Sequence, residues 1–318
     1  MKAKKILLLL LISFSLVACS SFKIEVITPA PVASVVPTST PWAAETEMAL
    51  ASPTPPATLP PPEVTQVTME KPTDFSPILY GGNMYGTPFF FLLGGAGRDA
   101  WLTPEESVAR FSGEVTYSLS NMTQEAKYFL WGKSPELSPT CKAYTISTDA
   151  GLEEAGFVGV VDGWAITKRE VTELAPEGEF YQQAVLDWLS GEGVADPQLG
   201  TLQIFRVDLE GDGSDEIFIS ASHLDGTQHT TKAGDYSIIL MRKIIGNDVL
   251  TKLVLGEVYE SKEPELTFPR TYSLANFIDL NQDGVLEVVV SFEKWEGFGA
   301  MVYQVDGQDL TWVLGAGC

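Results

Sequence analysis

The sequence predicts a mainly β protein: repeated antiparallel sheets with one or two covering helices, after a long N-terminal stalk. Three observations predict it. From Ile78 to Cys318 most apolar runs are short, β-branched or aromatic, and bounded by Gly, Asn or Asp. The second half of the chain repeats itself through matching strand-turn-strand segments. Ahead of both lies a Pro-rich stretch that cannot pack as helix or sheet, because Pro fixes φ and removes a backbone donor.

The elements follow in chain order. Lys2, Lys4 and Lys5 precede an apolar run from Ile6 to Val17, broken only by Ser13 and Ser15. That run is short of the roughly 20 residues a membrane-spanning helix needs, and it reads as the core of an export signal. It ends in Leu16-Val17-Ala18-Cys19, which resembles the lipobox of bacterial lipoproteins. The resemblance implies cleavage after residue 18, a diacylglycerol on the Cys19 thiol, and membrane attachment on the extracytoplasmic side. Residues 19–77 are expected to be a disordered spacer, with Ser52-Pro53-Thr54-Pro55-Pro56 and Pro60-Pro61-Pro62 at its centre. The Pro-rich part, residues 28–77, has a contour of about 150 Å at polyproline extension, enough to hold a domain off a membrane.

Residues 78–200 are expected to form a β-rich region, and 201–318 to form two repeats. Strands are expected near 87–93, 114–119, 157–161, 202–207, 216–221, 236–242, 249–257, 286–292 and 301–305. A short helix should start at Thr103-Pro104-Glu105-Glu106, where a capping residue, Pro at the first helical position and Glu three after the cap coincide. A second should span 179–190, where Phe180, Ala184, Val185, Trp188 and Leu189 recur at helical spacing and Gly191 ends it. Gly94-Gly95-Ala96-Gly97 reads as a turn, since no phosphate-loop signature completes it.

The repeat is explicit. Ile204 to Ala221, IFRVDLEGDGSDEIFISA, matches Ala275 to Phe292, ANFIDLNQDGVLEVVVSF, at an offset of 71 residues. Each copy continues into a second apolar hairpin. An earlier segment, Gly156 to Leu174, looks like a degenerate third unit without the acidic loop. Such a period suggests stacked or radially arranged sheets.

Inside each copy sits an acidic loop. The first carries Asp208, Glu210, Asp212, Ser214 and Glu216; the second carries Asp279, Asn281, Asp283, Val285 and Glu287. Oxygen-bearing side chains fall at positions 1, 3, 5 and 9, Gly stands at 6, and position 7 needs only its carbonyl. Calcium is a hard cation that takes six to eight oxygens, and a tight loop aims alternate side chains at one centre. Strand residues follow the loops, and position 12 is Ile219 or Val290, so neither loop is an EF-hand. The loops resemble those of FG-GAP and VCBS repeats, where DxDxDG and a further acid precede a β-strand. The resemblance implies propeller-like blades, or a partial propeller, with calcium as a structural ion tying each loop. Glu210 is longer than the Asp or Asn usual at position 3. The first loop, with four carboxylates against three, is expected to bind more tightly.

Charge and cysteines narrow the setting. The 42 acidic and 20 basic residues leave a net charge of −22, near −25 without the lysines of the leader, a surface that repels nucleic acid. After lipidation two cysteines remain, Cys141 and Cys318, an even pair that suggests one disulfide in an exported protein. His223, Asp225 and His229 share a loop, but their spacing suits neither a helix face nor a strand face for a metal. With two histidines close together, a Ser-His-Asp device is hard to build. Trp295 and Phe298 occupy the equivalent loop of the second copy and are candidates to face a ligand. The expected function is a calcium-bearing surface module that binds a protein or glycan or serves structurally. The alternative is a glycan-acting extracellular hydrolase whose carboxylates the sequence does not single out.

Overall fold

The computed structural model describes residues 74–84, 87–98, 100–111, 115–122, 127–131, 135–146, 156–260 and 267–318. The leader, Cys19 and nearly all of the Pro-rich spacer lie outside them. In chain order the elements are β1 (Phe75–Met84), β2 (Thr87–Gly97), β3 (Trp101–Leu102), α1 (Pro104–Ala109), β4 (Val115–Ser120), β5 (Lys127–Trp131), β6 (Glu136–Leu137), β7 (Tyr144–Thr145) and β8 (Phe157–Val161). There follow β9 (Thr172–Leu174), α2 (Glu179–Gly191), β10 (Thr201–Val207), β11 (Glu216–His223), β12 (Tyr236–Ile245) and β13 (Asp248–Val258). The last four are β14 (Thr271–Ile278), β15 (Glu287–Lys294), β16 (Gly297–Asp306) and β17 (Asp309–Gly317).

The protein is mainly β, with antiparallel pairing throughout these sheets. The first sheet runs β5-β4-β8-β1-β2-β7-β6, with β3 against β2. The second runs β13-β12-β11-β10-β9 and the third β14-β15-β16-β17. The two sequence repeats are therefore two four-stranded meanders, β10–β13 and β14–β17.

The third sheet sits between the other two, and its sequence shows why. Val288 and Val290 point with Leu274 and Phe277 into a core shared with Phe205, Val207, Phe218 and Ile239 of the second sheet. Val289, Ala275 and Ile278 point the other way, against Ile78, Phe91, Leu93 and Val160 of the first sheet. Side chains alternate along a strand, so a sheet covered on both faces needs a continuous apolar run; the three consecutive valines supply it. On the outer face of the second sheet lies α2, whose Val185 and Leu189 pack on Ile204, Ile219, Tyr236 and Ile238. Phe180 does not join them; it is exposed and sits under the Arg242 guanidinium, 4.4 Å from the ring centre. In α1 the capping box forms: Glu106 N donates to Thr103 Oγ1 at 3.2 Å, and Thr103 N to the Glu106 carboxylate at 2.9 Å.

Several expectations are corrected. The first described strand, β1, starts at Phe75, so the boundary at 77–78 falls inside it. The Gly94–Gly97 run is strand, not turn. It extends β2 past a bulge, where Ile78 pairs with Gly94 and Leu79 with Leu92. Gly94 has φ +142°, and a Cβ there would lie 2.5 Å from the Leu102 carbonyl oxygen. Residues 156–174 are not a third unit. Their first strand, β8, pairs with β1 and β4, while β9 pairs with β10 in the second sheet. The boundary at 200 is likewise crossed, because β9 is an edge of the first repeat's own sheet. Between β8 and β9 the chain crosses the sheets: the Trp164 indole N–H donates to Leu280 O at 2.8 Å.

Cys141 and Cys318 are joined by a disulfide across 177 residues, linking the segment before β7 to the end of β17. A loop of that length constrains the unfolded chain by roughly 5 kcal/mol in the chain-entropy picture.

Candidate metal centre

Both acidic loops are hairpin turns between the first two strands of a meander, β10 to β11 and β14 to β15. Their backbones are built alike. Gly213 and Gly284 at position 6 have φ of +88° and +89°, a left-handed conformation in which a Cβ is strained. Position 4 is also left-handed, Gly211 at +73° and Gln282 at +65°.

The carboxylates hold these turns from inside. In the first loop Asp208 accepts from Gly211 N at 2.6 Å and Gly213 N at 2.9 Å, and Asp212 accepts from Ser214 N at 2.8 Å. In the second, Asp279 accepts from Gln282 N at 2.7 Å and Gly284 N at 3.2 Å, and Asp283 from Val285 N at 2.7 Å. Asn281 spans to Asp283, donating at 2.8 Å. The position-9 glutamates also correspond: Glu216 accepts from Leu209 N at 3.0 Å and Glu287 from Leu280 N at 2.7 Å.

The charges around the two loops differ. In the first, the Lys243 ammonium is ion-paired with Glu210 and stands 3.4 Å from Glu216 Oε1. Burial by itself would lower the Lys243 pKa, but the two glutamates outweigh it and raise it. Burial raises the Glu216 pKa, with the Leu209 amide and Lys243 acting against it. Asp208 is held below the usual carboxylate range: burial works to raise it, but the amides of residues 213, 211 and 212 and the Arg169 charge prevail. The Arg169 guanidinium lies between the loops and donates to Leu209 O and to Gly284 O, each at 2.5 Å. Leu286 N also donates to Leu209 O at 2.9 Å, so the two turns abut.

The second loop has no lysine in that place. Glu287 is fully buried, and its Oε1 has no hydrogen-bond partner. Burial pushes its pKa up to about 8, with the Asp283 and Asp279 charges adding to the rise. Asp279 and Asn281 are buried beside it. A buried, unpartnered carboxylate oxygen costs roughly 1–3 kcal/mol or more if nothing meets it. It is the kind of group a cation satisfies.

The donor set of the second loop therefore fits calcium: oxygen ligands from Asp279, Asn281, Asp283 and Glu287, and the carbonyl of Val285. Capping the turn leaves lone pairs over, since each ionised carboxylate has about four acceptor sites. Among the described residues no three His, Cys, Asp or Glu side chains are already drawn together around one metal-sized point. The first loop fits less well, because Lys243 already engages the carboxylates at positions 3 and 9.

The remaining candidates separate. Trp295 is 40 % exposed and lies 4.4 Å, centre to centre, from the His229 ring, with Phe268 at 5.8 Å on the other side of that ring. Next to it is a cavity of about 550 Å³ bordered by Thr227, Gln228, Thr271, Glu293 and Glu296. Phe298 does not line it; it is half-buried and packs on Phe89 and Phe91 at 4.0 and 5.2 Å, against the margin of the core between the first and third sheets. His223 is apart from His229 and rests 3.6 Å from Asp225. Among the described residues no helix is long and apolar enough to cross a membrane.

No family model matches the chain, and no curated protein or solved structure matches it either.

Proposed function

We propose that this protein is a lipid-anchored extracytoplasmic binding module, stabilised by calcium, that holds a glycan on the shelf formed by Trp295 and His229. The observation that carries the binding reading is a partly exposed indole, tilted against a second ring at the edge of a cavity. The apolar face of a sugar ring packs on such a surface, while its hydroxyls need hydrogen-bonding side chains around it. Thr227, Gln228, Glu293 and Glu296 are of that kind. A stable protein partner would need a larger face than this rim by itself, about 800 Å² on each side.

Calcium belongs to the second loop in this reading, where Glu287 Oε1 is otherwise unmet. The anchor rests on the Leu16–Cys19 sequence. A propeller-like arrangement is supported by the four-stranded meander of each repeat and by the face-to-face packing of the sheets. Glycan-array binding by the wild-type protein and by Trp295→Ala tests the proposal. Loss of binding in the variant, with melting unchanged, is expected; binding retained at wild-type strength means the shelf is not the site. Fractionation of Cys19→Ala tests the anchor, and this variant is expected to leave the membrane fraction.

A further inference from the structure

We infer that Lys243 takes the place of calcium in the first acidic loop, so that the protein carries one calcium where its two-loop repeat implies two. The inference rests on the reading of the second loop as a calcium site.

Three observations carry it. First, the ammonium is where a cation would be. Lys243 is ion-paired with Glu210, lies 3.4 Å from Glu216 Oε1 and donates to Gly307 O at 3.3 Å. Its donors thus meet the two Glu210 oxygens at position 3 and a carbonyl of the β16–β17 turn, and its charge stands beside position 9. Its side chain is only 13 % exposed.

Second, the strand register explains why only one copy has it. Ile217 pairs with Arg242, which sets Lys243 opposite Glu216; Val288 pairs with Tyr303, which sets Gln304 opposite Glu287. The same place in the fold therefore holds a cation in the first repeat and a neutral amide in the second. The Gln304 amide oxygen is itself engaged, accepting from the Trp101 indole at 2.9 Å. Neither Glu216 Oε1 nor Glu287 Oε1 has a hydrogen-bond partner, but Glu216 Oε1 lies 3.4 Å from an ammonium, whereas Glu287 has no ion-pair partner among the described residues.

Third, the unusual residue at position 3 fits the substitution. A glutamate reaches one methylene further than the Asn281 of the second loop, and Glu210 uses that reach to meet Lys243. A calcium ion entering this loop would have to expel the lysine from a carboxylate that is 1 % exposed, or sit beside a like charge.

Equilibrium dialysis with radioactive calcium at millimolar concentration, on the detergent-solubilised full-length protein after chelator treatment, tests it. Wild type is expected to hold one calcium per chain. Asp212→Asn, in the first loop, should leave that count unchanged, and Asp283→Asn should abolish it. Lys243→Met should raise the count from one to two, with the second ion removed by adding Asp212→Asn. Two calcium ions in wild type, loss of the single ion with Asp212→Asn, or a count of one in folded Lys243→Met each overturn the inference. Should Lys243→Met fold only with calcium present, the Asp212→Asn comparison in the wild-type background decides alone. A wild type with no calcium, beside a Lys243→Met that takes up one, would uphold the lysine's role and refute the second loop as a calcium site.

Discussion

The two acidic loops share a backbone and differ in what faces them. Both turn through left-handed residues at positions 4 and 6, both use the first Asp to cap the turn, and both bury a Glu at position 9 whose one oxygen accepts from position 2. The other oxygen has no hydrogen bond in either loop; it lies 3.4 Å from the Lys243 ammonium in the first and, among the described residues, beside no cation in the second. The difference comes from the third strand of each meander, outside the motif. An acidic turn of this type is thus a backbone device first. What differs between the two copies is the charge that a neighbouring strand brings to it.

The largest effect is expected from breaking the internal pair. Lys243→Met leaves Glu216 buried without a counter-charge, which typically costs about 3–5 kcal/mol. Urea unfolding in chelator should show that loss, and calcium should restore a part of it; wild-type stability in the variant means Lys243 is not the cation of that loop. Arg169→Met comes next. It removes charged hydrogen bonds to one carbonyl in each loop, at about 1.5–3 kcal/mol. Because it joins the loops without occupying either site, the loss should be the same with calcium as with chelator. A loss seen only in calcium would make Arg169 a part of the metal site.

A smaller effect is expected from calcium itself. At tenfold saturation one site adds about 1.4 kcal/mol, a shift that a melting curve in chelator should remove. Glu287→Gln should melt alike in calcium and chelator, and in chelator at pH 6 close to wild type, since burial already keeps the Glu287 carboxyl protonated there. If calcium still raises the melting temperature of Glu287→Gln by the wild-type amount, the ion is elsewhere. The smallest is Trp295→Ala, which should change unfolding free energy by less than about 0.5 kcal/mol, as exposed positions do.

Much of the candidate site was legible. Asp208, Asp279 and their loop partners stand out because a tight turn imposes its residues by local geometry: Gly at the left-handed position, acids where amides must be capped. Lys243 was hidden, because its relevance depends on pairing register with β11 and on a contact 33 residues from Glu210. A signal existed all the same, since aligning the second hairpins of the repeats sets Lys243 against Gln304. Arg169 had no such signal. It lies in the crossing segment between β8 and β9, which resembled a repeat unit and is a strap between sheets. Phe298 was read as ligand-facing from its loop position, yet alternation along β16 turns it inward against Phe89 and Phe91. A ranking of the loops by carboxylate count leaves out Lys243 for a related reason: its ion pairs with Glu210 and Glu216 exist only once β12 lies beside β11.

By itself the sequence determined the local matters. These are the strand-rich character of residues 75–318, both helices and the capping box, the two meander repeats, and the acidic turns. Each depends on neighbours along the chain, through side-chain alternation, helical spacing and the φ preference of Gly. Tertiary structure alone decided the rest. It put the third sheet between the other two, split residues 156–174 between sheets, turned Phe298 onto Phe89 and Phe91 and left Trp295 outside with His229. It also set Lys243 into one loop and nothing comparable into the other. These outcomes turn on which surfaces are buried together and which charges share a desolvated space, and neither quantity exists until distant segments meet.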